Sequence, residues 1–199
     1  MLAAGQRYAI RMEFFENTGA ATARLLWSTT SMAKAVVPAA RLYPSPVLRV
    51  NFQPASAPVP SEYLADGGLV YGSRGNGQTY GWTRDNTSLA RDRNSALSPD
   101  QRYDTMTHLQ KPDNPDAVWE IAVPNGHYVV RAVAGDAAYF DGVFRTTAEG
   151  VLTVNGTPST SARWVDGTSS VTVADGRLTL RSGSGAVNNK LCFVEIWFQ

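Results

Sequence analysis

From about residue 105 to the C-terminal end, the chain is a succession of short runs in which apolar and polar residues alternate, each cut off by a turn signal. No other feature narrows the choice of fold as far. The runs fall at 105–109, 118–123, 127–134, 143–147, 151–154, 170–174 and 177–181. In the third, Tyr128, Val130 and Ala132 alternate with His127, Val129 and Arg131, the period of two of a strand with one buried face. The pairs Asn125-Gly126, Asn155-Gly156, Asp166-Gly167 and Asp175-Gly176 accept the positive backbone angles of tight turns. Asp175-Gly176, lying between two alternating runs, predicts a hairpin. Many short strands without helical periodicity predict an all-β chain, an antiparallel β-sandwich or jelly roll.

Composition narrows the function classes. A chain of 199 residues with 43% hydrophobic content can bury a proper core and amounts to one or two domains. A formal net charge of +1 gives no electrostatic drive toward nucleic acid or an anionic membrane surface. No run approaches the roughly 18 apolar residues of a membrane span. The lone cysteine, Cys192, reads as a small buried hydrophobe and rules out a disulfide framework or a cysteine-based zinc site.

Pro44-Ser45-Pro46 is a short stiff linker, so a boundary is expected there, with one unit at 1–45 and a second at 46–199. In the first unit, residues 7–15 and 22–29 read as two strands joined by Glu16-Asn17-Thr18-Gly19. An isolated hairpin is marginal in water, so this piece is expected to be the remnant of something larger. In the second unit the first strand, 47–52, and the last, 191–198, stand at opposite ends of the sequence, and pairing them would close a sheet. The glycine-rich stretch 54–102 reads as a long functional loop, since Tyr63, Tyr71, Tyr80, Trp82 and several arginines argue against simple disorder.

Three groups of residues carry candidate chemistry. Tyr71, Tyr80 and Trp82 flank Ser73-Arg74-Gly75-Asn76-Gly77, whose glycine spacing matches neither a dinucleotide fingerprint nor a phosphate loop. The sharper reading is an aromatic platform, on which the C–H face of a sugar ring packs while flanking polar groups take its hydroxyls. The plainer alternative is that these rings pin a loop to the sheet. In the second group, alternation from Tyr103 puts Asp104, Met106 and His108 on one face, where Asp104 and His108 share a ligand and Arg102 adds planar donors. The alternative there is a structural ion pair of Arg102 with Asp100 or Asp104. The third group follows the 127–134 run, where Gly135 breaks the strand and Asp136, Tyr139, Phe140 and Asp141 sit on the ensuing loop.

Catalytic signatures are missing. Neither a nucleophile elbow nor a His-Glu-x-x-His motif occurs. Paired carboxylates such as Asp136 and Asp141 could in principle serve glycoside hydrolysis, but aspartates beside glycines are more often turn residues. No cofactor is required. A structural calcium ion is compatible with the edges of such a domain, although Asp113-Asn114-Pro115-Asp116 lacks EF-hand spacing. Asn86-Thr87-Ser88 and Asn155-Gly156-Thr157 fit the glycosylation pattern.

Two resemblances add to this reading. The stretch AGQRYAIRMEFFENTGAATARLLW, with Val36-Val37-Pro38 and Arg41-Leu42-Tyr43-Pro44, resembles the last part of a PA14 domain, a β-sandwich common in secreted glycosidases and adhesins. The part of such a domain that binds calcium and sugar has no counterpart here. From 47 to 199, Val50-Asn51-Phe52-Gln53-Pro54, Trp119-Glu120-Ile121-Ala122-Val123-Pro124-Asn125-Gly126-His127-Tyr128 and Asn188-Asn189-Lys190-Leu191-Cys192-Phe193-Val194-Glu195-Ile196 resemble malectin-like, galactose-binding-like carbohydrate modules. In that family, loop aromatics and an aspartate contact a glucose disaccharide, and the matching region here offers Tyr139, Phe140 and, less directly, Tyr71. The resemblances imply a non-catalytic carbohydrate-binding module at the cell surface or outside the cell, part of a larger polypeptide whose other domains lie elsewhere. The rival expectation is a structural spacer or protein-interaction sandwich that binds no sugar.

Overall fold

The structure is a computed structural model that describes residues 10, 12, 14–42 and 48–199. Two compact units are distinguished, Met1–Ser45 and Pro46–Gln199.

In the first unit, β1 (Leu26–Trp27) pairs antiparallel with β2 (Ala35–Val36), and a 3₁₀ turn follows at Ala39–Arg41. The pairing that the described residues show lies within the second half of this unit. Most of the 7–15 run lies outside the described residues, Phe14 and Phe15 are in no strand, and the partner of the second run comes after it. The reversal is made at Thr29–Met32, whose backbone groups bond each other, with the Thr29 hydroxyl accepting from the Ser31 amide.

The second unit is an all-β sandwich. One five-stranded sheet is built from β3 (Leu48–Phe52), β4 (Leu64–Asp66), β10 (Gly126–Gly135), β13 (Trp164–Val173) and β16 (Phe193–Phe198), in the order β13-β10-β16-β3-β4. The six-stranded sheet contains β5 (Gly72–Ser73), β6 (Thr79–Trp82), β9 (Val118–Ala122), β11 (Phe144–Ala148), β12 (Val151–Gly156) and β14 (Arg177–Ser182). Its order is β12-β11-β14-β9-β6-β5. A small third sheet joins β7 (Ala90–Asp92), β8 (Thr105–His108) and β15 (Lys190–Leu191), with one helical turn, α1 (Gln101–Asp104), leading into β8. The pairings are antiparallel except that of β3 with β4. The ends of the unit meet as expected, Arg49 opposite Glu195 and Asn51 opposite Phe193.

The core lies between the two large sheets and follows the period-two pattern. Val50, Phe52, Tyr128, Val130, Ala132, Val194 and Ile196 face Trp82, Trp119, Ile121, Phe144, Leu178 and Leu180. Phe52 meets the edges of both tryptophans, with ring centroids 5.8 Å from Trp82 and 5.2 Å from Trp119. Between the tryptophans sits a buried carboxylate. Asp66 Oδ1 accepts from the Trp82 indole at 2.7 Å and from the Gly68 amide, and its Oδ2 accepts from the Trp119 indole at 2.8 Å.

Two sequence expectations change. Asp175-Gly176 makes no hairpin, because β13 pairs with β10 along its whole length while β14 lies between β11 and β9 in the other sheet. Asn125-Gly126 likewise carries the chain from one sheet to the other, and the two corners are stapled: Asn125 Oδ1 accepts from the Gly176 amide and its Nδ2 donates to the Ala174 carbonyl. Such dipeptides report a backbone angle and say nothing of the partner strand. The true two-residue hairpin joins β11 to β12 through Glu149 and Gly150, both at positive φ (49° and 77°), as the strand twist demands. The stretch 54–102 also departs from a plain loop, because it contributes β4, β5, β6 and β7 to the three sheets.

Candidate functional site

At the end of β10 the chain leaves the sheet through Asp136. This carboxylate is buried, which is tolerable only because donors surround it. Arg93 gives it two bonds, Nε to Oδ1 at 2.8 Å and Nη2 to Oδ2 at 2.6 Å. The buried Lys190 ammonium reaches Oδ2 at 3.2 Å, and the Ala138 amide reaches Oδ1 at 2.9 Å. Burial pushes the Asp136 carboxyl up, but the Arg93 and Ala138 bonds and the Lys190 charge outweigh it and hold the group below its ordinary range.

On this anchored loop Tyr139 and Phe140 turn outward, 56% and 40% exposed. Each ring stands beside a guanidinium, Arg93 at 4.9 Å from the Tyr139 centroid and Arg163 at 5.2 Å from that of Phe140. Beyond them Asp141 Oδ1 accepts from Asn188 Nδ2 at 3.0 Å, and Lys111 Nζ donates to Asn188 Oδ1 at 3.1 Å. Asn188 adopts φ +48°, a left-handed angle that asparagine tolerates better than most residues. Reciprocal backbone bonds between Val143 and Val187 tie the two loops together. The result is an exposed aromatic pair on a fixed backbone, flanked by a carboxylate, an amide and cationic groups.

His108 lies opposite Lys190 in the small sheet. It is buried, and its Nδ1 has no hydrogen-bond partner. Burial first, then the charges of Lys111, Lys190 and Arg91, pull its pKa down to about 3, so the imidazole is neutral near pH 7. It is enclosed in the fold and does not reach the surface.

The other expected site residues are dispersed. Trp82 is fully buried and Tyr80 nearly so, its hydroxyl donating to the Ala65 carbonyl at 2.8 Å. Both belong to the core, so the aromatic platform expected of them does not exist on the surface. Tyr71 is half-buried under the Arg177 guanidinium, 4.3 Å from its ring, on the six-stranded side. Asp104 is buried and accepts from the Ser95 amide at 3.0 Å and the Ser98 hydroxyl at 2.6 Å, which fixes the preceding turn. The alternation expected from Tyr103 fails because residues 101–104 form a helical turn, capped by Asp100, and the strand begins only at Thr105. Arg102 pairs with Asp100.

A second concavity was not foreseen. It has a volume of about 450 Å³ and is lined by Arg49, Glu62, Tyr63, Asp100, Arg102 and Glu195 among others. Its residues come from four separate stretches of sequence, and none carries a motif. Among the described residues, no group of three His, Cys, Asp or Glu could hold a metal ion. Asn86 is wholly buried, bonding to the His108 carbonyl and to Asn114, so its glycosylation pattern is out of reach in the folded chain.

No protein-family model matches the chain. The anti-sigma-I factor RsgI3 of Acetivibrio thermocellus is 46% identical over 44 residues, a match that takes in 22% of this chain and 7% of that protein. Among solved structures, a calcium-binding mutant of Bacteroides uniformis beta-glucuronidase 2 shares the fold with a TM-score of 0.51 at 12% identity. The likeness covers 87% of this chain and 22% of the enzyme. The plant receptor-like kinase FER gives a TM-score of 0.50 at 12% identity, covering 76% of this chain and 42% of that one. At such low identity these likenesses show the fold alone, a β-sandwich that this chain shares with part of each of those larger proteins.

Proposed function

We propose that this chain is a non-catalytic carbohydrate-binding module that holds a larger protein against glycan, with the sugar seated on Tyr139 and Phe140. The observation that carries the reading is the pair of exposed rings on a loop whose root, Asp136, is clamped by Arg93 and Lys190. Exposed rings on mobile loops lose entropy when they order on a ligand, and an anchored loop avoids most of that loss. The fold adds support, since the beta-glucuronidase that shares it carries the sandwich as about a fifth of its length. The extracellular or cell-surface location, and the partial PA14-like identity of residues 1–45, belong to the same proposal.

Hydrolysis is disfavoured at the carboxylate pair Asp136 and Asp141. A glycosidase needs two carboxyl groups that reach the sugar, and Asp136 is buried with both oxygens held by Arg93, Lys190 and the Ala138 amide. The spacer alternative draws its support from the burial of Tyr80, Trp82, Asp104 and His108. The two separate on affinity electrophoresis of the whole chain against soluble plant, algal and microbial polysaccharides, with and without calcium. Retardation by a defined glycan, lost in Tyr139→Ala or Phe140→Ala with the fold intact, is the expected result. A folded chain that migrates freely through every glycan would leave the spacer reading in its place.

A further inference from the structure

The outer face of the five-stranded sheet is covered over only part of its length. There Val133 and Phe193 pack with Met106 and Cys192 into a second small core, closed by Tyr103, Tyr63 and Trp164. Next to this core a rung of alternating charge crosses the strands, Arg131 opposite Glu195 and Glu195 opposite Arg49. Both Glu195 oxygens are engaged, Oε1 by the Tyr63 hydroxyl at 2.5 Å and Oε2 by Arg131 Nη1 at 3.0 Å. Asp166 caps Arg131 at one end, and Glu62 accepts from Arg49 at 2.9 Å at the other. Arg102 comes in from the helical turn, held by two bonds to Asp100 at 2.7 and 3.0 Å and by a third to the Tyr63 hydroxyl at 3.3 Å. The concavity of about 450 Å³ lies against these groups.

We propose that this groove is a second saccharide subsite of the same module, taking a neutral sugar unit. The proposal rests on the carbohydrate-binding reading and extends it to a surface away from the Tyr139 loop. The volume lies within the usual range for small-ligand sites. Of the charged lining groups, Arg49 and Arg102 face Glu62, Asp100 and Glu195, a balance of one net negative charge. An anion meets guanidinium groups already bonded to carboxylates and an unfavourable net field. A neutral polyol suits the lining, because each hydroxyl both donates and accepts and so matches carboxylates and guanidinium groups standing side by side. The Tyr63 ring, braced edge-on against Phe193 at 6.0 Å, supplies an apolar face. Glu62 reaches the rim from a left-handed backbone angle, φ +65°, a strained arrangement for a non-glycine residue.

Arg131 stands five residues before Asp136, about 16 Å along the strand. One oligosaccharide long enough to reach from the groove to the Tyr139 loop would bind more tightly than its parts, since the second contact forms at high effective concentration.

The test is a titration of the whole ¹⁵N-labelled chain with cellohexaose, xylohexaose and mannohexaose, and with glucose, xylose and mannose. Amide shifts are followed at Glu62, Tyr63 and Arg102 and, separately, at Tyr139 and Phe140. The expected result is that a neutral hexasaccharide moves the groove amides, with affinity weakened about tenfold in Tyr63→Ala, and that the groove amides still respond in Tyr139→Ala. Glu62→Ala, whose side chain is 70% exposed and can be lost without disturbing the fold, should weaken groove binding about threefold. Groove amides that stay still with every sugar while the Tyr139 loop responds would overturn the subsite and leave the module reading standing. If neither region responds, both fall. Unchanged groove affinity in Glu62→Ala also overturns the assignment, even where Tyr63→Ala does not fold.

Discussion

At the scale of single residues, the buried polar groups decide more than the exposed ones. Asp66 satisfies two indole N–H groups from neighbouring strands, and although burial pushes its carboxyl up, those bonds pull the other way. Both oxygens accept, so an amide in its place must turn its –NH₂ toward an indole N–H. Asp66→Asn is therefore expected to lower stability by about 2 kcal/mol in urea unfolding, and an unchanged midpoint would refute the account. His108 sets a pH limit. In the unfolded chain it takes a proton near its ordinary 6.5, whereas in the folded chain it refuses one down to about 3. The unfolded state thus binds more protons in that window, and stability falls as pH falls from 6.5 toward 3. The slope should be at most about 1.4 kcal/mol per pH unit. In His108→Leu it should flatten between about pH 4.5 and 6.5, above the range where most carboxylates titrate, as read by urea midpoints across that interval. Neither group's role was legible from sequence. Tyr80 and Trp82 are on one side of β6 by alternation, but nothing local says whether that side meets the other sheet or solvent, and it meets the core.

At the scale of elements the reading was better, because period two is a local signal. The alternation in β10 places Tyr128, Val130 and Ala132 inside, and the strands after residue 105 lie close to their expected positions. What failed was the meaning of glycine. Asp166-Gly167 carries a turn signature yet lies inside the ten-residue β13, where a Cβ on Gly167 would come within 1.8 Å of the Thr153 carbonyl oxygen in β12. Here glycine marks the close approach of one sheet's edge to the other, as glycine inside strands often does. The obstructing atom is backbone, so relief requires the strands to separate. Gly167→Ala is expected to destabilise by about 1–3 kcal/mol and lower the melting temperature by several degrees. Gly150→Ala or Gly176→Ala tests a different cause, since each site is open and only its positive φ is strained. A melting temperature for Gly167→Ala no lower than for these two would refute the close-approach argument.

At the scale of the whole second unit, the order of assembly is written into the strand order. β16, the last strand in sequence, lies between β10 and β3, and so bridges residues from both ends of the unit. The pairing of 47–52 with 191–198 was legible because both runs are strongly apolar. The groove was not, because Arg49, Glu62, Arg102 and Glu195 come together only once that pairing is made. Contacts between such distant residues close large loops before they return energy, so folding in milliseconds to seconds is expected. Until β16 is in place, β10 and β3 each keep an unpaired edge and the core lacks Val194 and Ile196. A chain truncated after Leu191 is therefore expected to show no cooperative unfolding transition by tryptophan fluorescence and to aggregate. Ile196→Ala in the full chain should retain a cooperative transition with a loss of about 2–5 kcal/mol. A truncated chain that still unfolds cooperatively would mean that the remaining strands form a stable sheet without their central member, and the sandwich would not depend on joining its ends.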